Sequence, residues 1–159
     1  MSVPGELINA SLREARNWLR TRLPDGARCP CCEQFAKVYK RKLNSGVAWT
    51  LIHVYRAAGT DWVDVLRAIP GAKHNGDMGS LRYWGLVEAG PGRNGIWRVT
   101  DRGARFARGE ISVPSHALVY DGTLIRVEGD PLWIRDALGD RFDYDTLMAT
   151  PGLLTERND

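Results

Sequence analysis

Apolar positions recur at helical spacing at the start of the chain. Ile8, Leu12, Ala15 and Leu19, widened by Leu7, Trp18 and Leu23, predict an amphipathic helix over residues 5–22. Arg13, Arg16, Arg20 and Arg22 fill its other side. Pro24, Gly26 and Pro30 then break the pattern. The run "FAKVYKRKL" alternates Phe35, Lys37 and Tyr39, which suits an extended segment or an early helical turn. A second stripe of Val47, Leu51, Val54 and Tyr55, with Trp49 and Ile52 near its edge, predicts a helix over 45–58. Asn44 and Ser45 can cap that helix and Gly59 can end it.

Shorter elements follow. "TDWVDVLRAI" predicts an extended piece that turns helical near Asp61 and stops at Pro70 and Gly71. "KHNGDMGSLRYWG" predicts a short third helix capped by Asp77, with Met78, Leu81 and Trp84 inward and Gly85 at its end. "GLVEA" and "GIWRVT" read as two strands joined by a tight loop. Gly90, Gly92 and Gly95 supply the positive-φ positions of that loop, and Leu86 with Ile96 or Trp97 faces the helices. Asp101 is the expected N-cap of the next helix, with Phe106 inward. Beyond residue 110, "HALVYDGTLIRVEGD" places Asp121-Gly122 between two apolar runs, a strong hairpin signal. A short helix follows, with Asp130 as cap and Pro131 in its first turn. "DYDTLM" adds a further turn, and residues 151–159 read as a loose tail.

The succession of helix, short strand, helix, helix and hairpin, with the phrases "LRYWGLVEA" and "IWRVTDRGARFARG", resembles the winged helix-turn-helix superfamily over residues 45–108. More loosely, it is similar to small winged-helix proteins of phages of high-GC bacteria. The expected fold class is α+β: a winged-helix core with an N-terminal helix, a Cys-rich turn, and a C-terminal β-hairpin plus short helix. Expected boundaries are 1–44 for the N-terminal helix and knuckle, 45–110 for the winged-helix domain, 111–150 for the C-terminal extension and 151–159 for the tail.

The resemblance implies that the third helix enters a DNA major groove. It would bring His74, Asn75, Ser80 and Arg82 to base edges, where Asn pairs with adenine and Arg with guanine. The loop carrying Arg93 and Asn94 would lie against the backbone. Lys73, Arg98, Arg102 and Arg105, with Lys37, Lys40, Arg41 and Lys42, are candidate phosphate contacts, which give affinity without sequence information. Double-stranded DNA is the expected partner, and a homodimer would read two half-sites about one helical turn apart. Gly76 and Gly79 weaken the third helix, and Asp77 would sit near phosphates. These features favour an alternative, a winged-helix module that binds a protein partner, as an adaptor or an inhibitor of host machinery.

Charge sharpens this reading. Residues 36–110 carry thirteen Lys/Arg against six Asp/Glu, whereas residues 111–159 carry four against nine. A basic middle suits a polyanion, although a solvated face accounts for charge equally well. The acidic end can fold back or hold a basic partner. Length, at 159 residues, allows a real core without disulfides. No apolar run reaches a membrane span, and "MSVPGELINASLREARNWLR" has no signal-peptide core, so a cytoplasmic location is expected.

The three cysteines sit together in "RCPCCEQ". Cys29 and Cys32 have the C-x₂-C spacing with which one turn aims two thiolates at zinc. A second such pair is absent from the sequence, so further ligands would come from Cys31, His53, His74 or His116; buried or reduced thiols are the plain alternative. Of the six tryptophans, Trp18 and Trp133 fall outside the expected core, where they can pack the extensions or anchor a dimer. The Asp residues of "GDRFDYD" lack calcium-loop spacing. No P-loop, G-x-S-x-G, H-E-x-x-H or zinc-deaminase signature occurs, and no enzyme activity is expected.

Overall fold

The computed structural model describes residues 5–70, 74–92 and 94–149. Helices and antiparallel sheets are mixed, so the architecture is α+β. The chain divides into two compact units, residues 1–41 with 118–126 and residues 42–117 with 127–159. Among the described residues no helix is long and apolar enough to cross a membrane.

In the smaller unit, α1 (Leu12–Arg22) starts later than the apolar stripe predicted. Ser11 accepts from the Glu14 N–H and Glu14 accepts from the Ser11 N–H, a reciprocal cap that fixes the start. Only a 3-10 turn, Gly5–Leu7, precedes it, and Ile8 and Leu12 are left 79% and 56% exposed. Two short strands, β1 (Ala27–Arg28) and β2 (Phe35–Ala36), pair antiparallel around the cysteine turn. "FAKVYKRKL" is therefore extended, and continues into β3 (Tyr39–Lys42). The tip of the late hairpin completes this unit, and Ala15, Ala27, Ala36 and Val119 are its buried apolar residues.

The larger unit is built on α2 (Ser45–Ala58), whose bounds match the predicted helix. Asn44 caps it, its side chain accepting from the Val47 N–H at 3.0 Å. Val47, Leu51 and Val54 are buried as expected; Ile52 is buried too, rather than at the edge, and Tyr55 is half-buried. Then come β4 (Val63–Asp64), α3 (Val65–Ala68), a π-type turn His74–Met78, one helical turn α4 (Gly79–Leu81) and a 3-10 turn Arg82–Trp84. Strands β5 (Val87–Ala89) and β6 (Ile96–Val99) follow, then α5 (Asp101–Ala107). The sheet order is β4-β6-β5, antiparallel, with Val63 opposite Trp97 and Val87 opposite Val99. Trp97 and Val99 point into the core, so the residue between them, Arg98, points to the other face.

Three predicted caps are not where the sequence put them. Thr100, not Asp101, caps α5, its Oγ1 accepting from the Gly103 N–H at 3.1 Å. Asp77 caps nothing, because the α4 turn begins without a side-chain cap and the Asp77 carboxylate is engaged by Thr50. Asp130 and Pro131 belong to the long strand β8 (Thr123–Leu132), and α6 (Ile134–Leu138) begins after them with Asp136 accepting from the Trp133 N–H. Strand β7 (Val113–Tyr120) and β8 form the expected hairpin, with Asp121 at φ 50° and Gly122 at φ 71° in its turn. The positive-φ glycines of the β5–β6 loop are Gly92 and Gly95; at Gly90 the requirement is space, since a Cβ there would sit 2.6 Å from Ile96 Cγ2. A second three-stranded sheet has the order β3-β7-β8. Helices α6 and α7 (Tyr144–Ala149) lie against α2, burying Ile134 and Leu138.

Candidate nucleic-acid interface

The helical segment 74–84 is held by its apolar residues. Met78, Leu81 and Trp84 are buried, which places three contacts on one side of a short segment. The Trp84 indole N–H donates to the Pro114 carbonyl at 2.6 Å and fixes the segment's end. Gly85 closes it at φ 73°, and the Thr100 hydroxyl donates to the Gly85 carbonyl at 2.6 Å. This leaves Ser80 half-exposed and Arg82 exposed. Lys73 and the side chains of His74 and Asn75 lie outside the described residues, as does Arg93.

Arg102 reaches the same end of the segment from α5. Its Nε donates to the Trp84 carbonyl at 2.9 Å, and its aliphatic chain runs past Gly85. A cation at a helix C-terminus is favourable in itself, so this contact has a structural use besides any ligand. The Arg82 guanidinium lies 5.8 Å from the Tyr83 ring. Arg105, one turn further along α5, is exposed. Arg102 thus reaches, from α5, the end of the segment that carries Arg82.

Arg98 is placed differently. It stands directly opposite Glu88 across β5–β6, and the two form an ion pair. Its guanidinium also stacks over Trp62, 4.6 Å from the ring centroid. With Thr60, Thr100 and Asp101, the pair lines a cavity of about 360 Å³. Asn94 is exposed in the loop. Sequence reasoning missed Glu88 and Trp62 as partners of Arg98. The first was readable in principle, because Glu88 and Arg98 are equidistant from the loop centre.

The cysteines form a tight turn in the smaller unit. The Cys29 N–H donates to the Gln34 carbonyl and the Glu33 N–H returns to the Cys29 carbonyl, both at 2.8 Å. The Cys31 N–H lies 3.4 Å from Cys29 Sγ. Backbone N–H groups of Cys32 and Cys31, aimed at that sulfur, hold the Cys29 thiol below its ordinary range. All three are free thiols, Cys29 half-buried and the others exposed. Among the described residues no group of three His, Cys, Asp or Glu side chains is arranged to hold a metal ion. His53 is buried, stacked on Trp49 at 3.8 Å, and its Nδ1 faces the Trp49 carbonyl at 3.0 Å. His116 Nδ1 is 2.7 Å from the Ser115 hydroxyl.

Comparison of the chain with models of protein families, with curated proteins and with solved structures gives no match.

Proposed function

We propose that residues 45–107 form a winged-helix unit that binds double-stranded DNA, as a small transcriptional regulator. The observation that carries this reading is the succession α2, β4, α3, the segment 74–84 and the β5–β6 hairpin, closed in the order β4-β6-β5. In such a unit the segment 74–84 faces the major groove with Ser80 and Arg82, Arg102 and Arg105 approach phosphates, and the loop of Arg93 and Asn94 follows the backbone. Asp77 has a structural use besides any ligand, because its carboxylate accepts from the Thr50 hydroxyl. Cys29 and Cys32 enter as a two-thiolate position for zinc whose remaining ligands come from elsewhere.

The second reading, a protein-binding module, is favoured by the Glu88–Arg98 pair and the 44% exposed Trp62 beneath it. A neutralised arginine over an open indole suits a protein surface better than a phosphate. Binding to a labelled generic duplex across a salt series decides between them. Micromolar binding that falls steeply with salt supports the DNA reading, and no binding at low salt transfers the assignment to the protein module.

A further inference from the structure

The smaller unit carries a surface whose aromatic side chains the duplex-binding reading does not use. The run Phe35-Ala36-Lys37-Val38-Tyr39 alternates exposed and covered residues: Ala36 is buried and Val38 half-buried, whereas Phe35, Lys37 and Tyr39 face outward. Phe35 is 58% exposed and Tyr39 53%. Both line one cavity of about 310 Å³ with Lys37 and Tyr120. The Phe35 ring is seated against Gly26, where a Cβ would overlap it, so one side of the ring is fixed while the residue stays open to solvent. Arg41 follows on the exposed strand β3. No acidic residue occurs from Gln34 to Thr60; Asp121, at the hairpin tip, is the one carboxylate lining the cavity.

Edge protection explains part of this. β3 ends the sheet order β3-β7-β8, and lysines on an edge strand discourage pairing with another chain. That accounts for the cations and argues against strand addition by a protein. It leaves two large exposed aromatic side chains beside them without a reason. Rings spaced by cations are what an unstacked polynucleotide needs, since bases stack on the rings and phosphates meet the cations. Duplex bases already stack on one another and offer no free face.

We propose that Phe35 and Tyr39, with Lys37 and Arg41, form a stacking platform for single-stranded nucleic acid, separate from the duplex-binding elements of residues 45–107. The platform stands whether or not those elements bind duplex.

The test is fluorescence anisotropy of the full chain with labelled oligo-dT and oligo-U of about 12 nucleotides, a length within single-strand site sizes. The doubly substituted Phe35→Leu/Tyr39→Leu protein keeps apolar bulk and removes both π faces. It should bind about tenfold or more weakly, with duplex binding unchanged. Phe35→Tyr should bind like the parent. Lys37→Gln with Arg41→Gln should lower the salt slope by about 0.7 per lost phosphate contact. Equal binding of dT and U assigns the platform to base stacking alone, and a preference for U adds a sugar contact to it. Leucine variants that melt like the parent and bind the oligonucleotides as tightly overturn the proposal, as does absence of oligonucleotide binding at low salt. Arg82→Ala/Arg102→Ala separates the two surfaces, because it should weaken duplex binding and leave oligonucleotide binding intact.

Discussion

The Thr50 hydroxyl lies 2.6 Å from the Asp77 carboxylate and joins the middle of α2 to the turn that leads into residues 79–84. Thr50 is 1% exposed, so its hydroxyl must be satisfied internally. The Gly46 carbonyl, at 3.1 Å, is a second acceptor for the same proton, and the charged, closer acceptor takes precedence. Thr50→Val removes the donor from a half-buried carboxylate and should cost about 1.5–3 kcal/mol in urea unfolding. Asp77→Ala leaves Thr50 the Gly46 carbonyl and should cost less. Losses near zero in both variants would show that the pair is not what holds the turn.

Glu88 decides what Arg98 can do. Opposite charges directly across a strand pair contribute roughly 0.2–1 kcal/mol, a small sum at an exposed site. Glu88→Gln should therefore leave the melting temperature nearly unchanged while releasing Arg98. If Arg98 reaches a phosphate, duplex affinity rises and the salt slope steepens by about 0.9. Unchanged affinity and slope would assign Arg98 to the sheet face with Trp62.

Gly103 sits in α5, where alanine ordinarily stabilises a helix by about 1 kcal/mol. Here the gain is reversed. A Cβ at this position would overlap the Leu86 carbonyl oxygen and come within 2.8 Å of Val99 Cγ1, so backbone must move. Overpacking of this kind costs about 1–3 kcal/mol. Gly103→Ala should lower thermal stability, measured by circular dichroism; a rise would mean that α5 slides from β5 and β6 without resistance.

Much of the fold was legible because its signals are local and mutually consistent. The α2 stripe, the Asn44 cap, the Met78–Leu81–Trp84 spacing and the Asp121-Gly122 turn each need only nearby residues, and each appears where the pattern put it. The caps were misread where two good capping residues adjoin. Thr100 and Asp101 are equally plausible in sequence, and backbone entry from β6 selects Thr100. The N-terminal stripe failed for the opposite reason: Ser11 starts the helix, and Ile8 before it is left exposed. At the candidate interface, the reach of Arg102 to the Trp84 carbonyl and the pairing of Arg98 with Glu88 depend on packing between elements. Helical spacing carries no trace of the first.

The cysteine turn makes a distinct prediction. Protein purified without chelator should carry zinc that Cys29→Ser and Cys32→Ser each remove, by elemental analysis. Two thiolates from one chain leave the tetrahedron half filled, so one zinc per two chains is the stoichiometry if a second copy completes it. Zinc well below that leaves Cys29 and Cys32 as reduced thiols.

Tyr144 ties α7 to α5, its hydroxyl donating to the Ala107 carbonyl at 2.7 Å. Burial pushes its pKa up, against the opposing pull of the Arg135 guanidinium, which lies 4.5 Å from the ring centroid. A folded pKa above the unfolded value means that the stabilisation is fully present below about pH 10 and is lost as pH rises through the folded pKa. Tyr144→Phe should cost about 1 kcal/mol at neutral pH, the worth of a typical hydrogen bond. Above pH 10 the difference should shrink, because the parent alone must give up a proton and its donor. Parallel stability curves for the two proteins between pH 8 and pH 12 would remove the Ala107 contact from the account of how α7 is held.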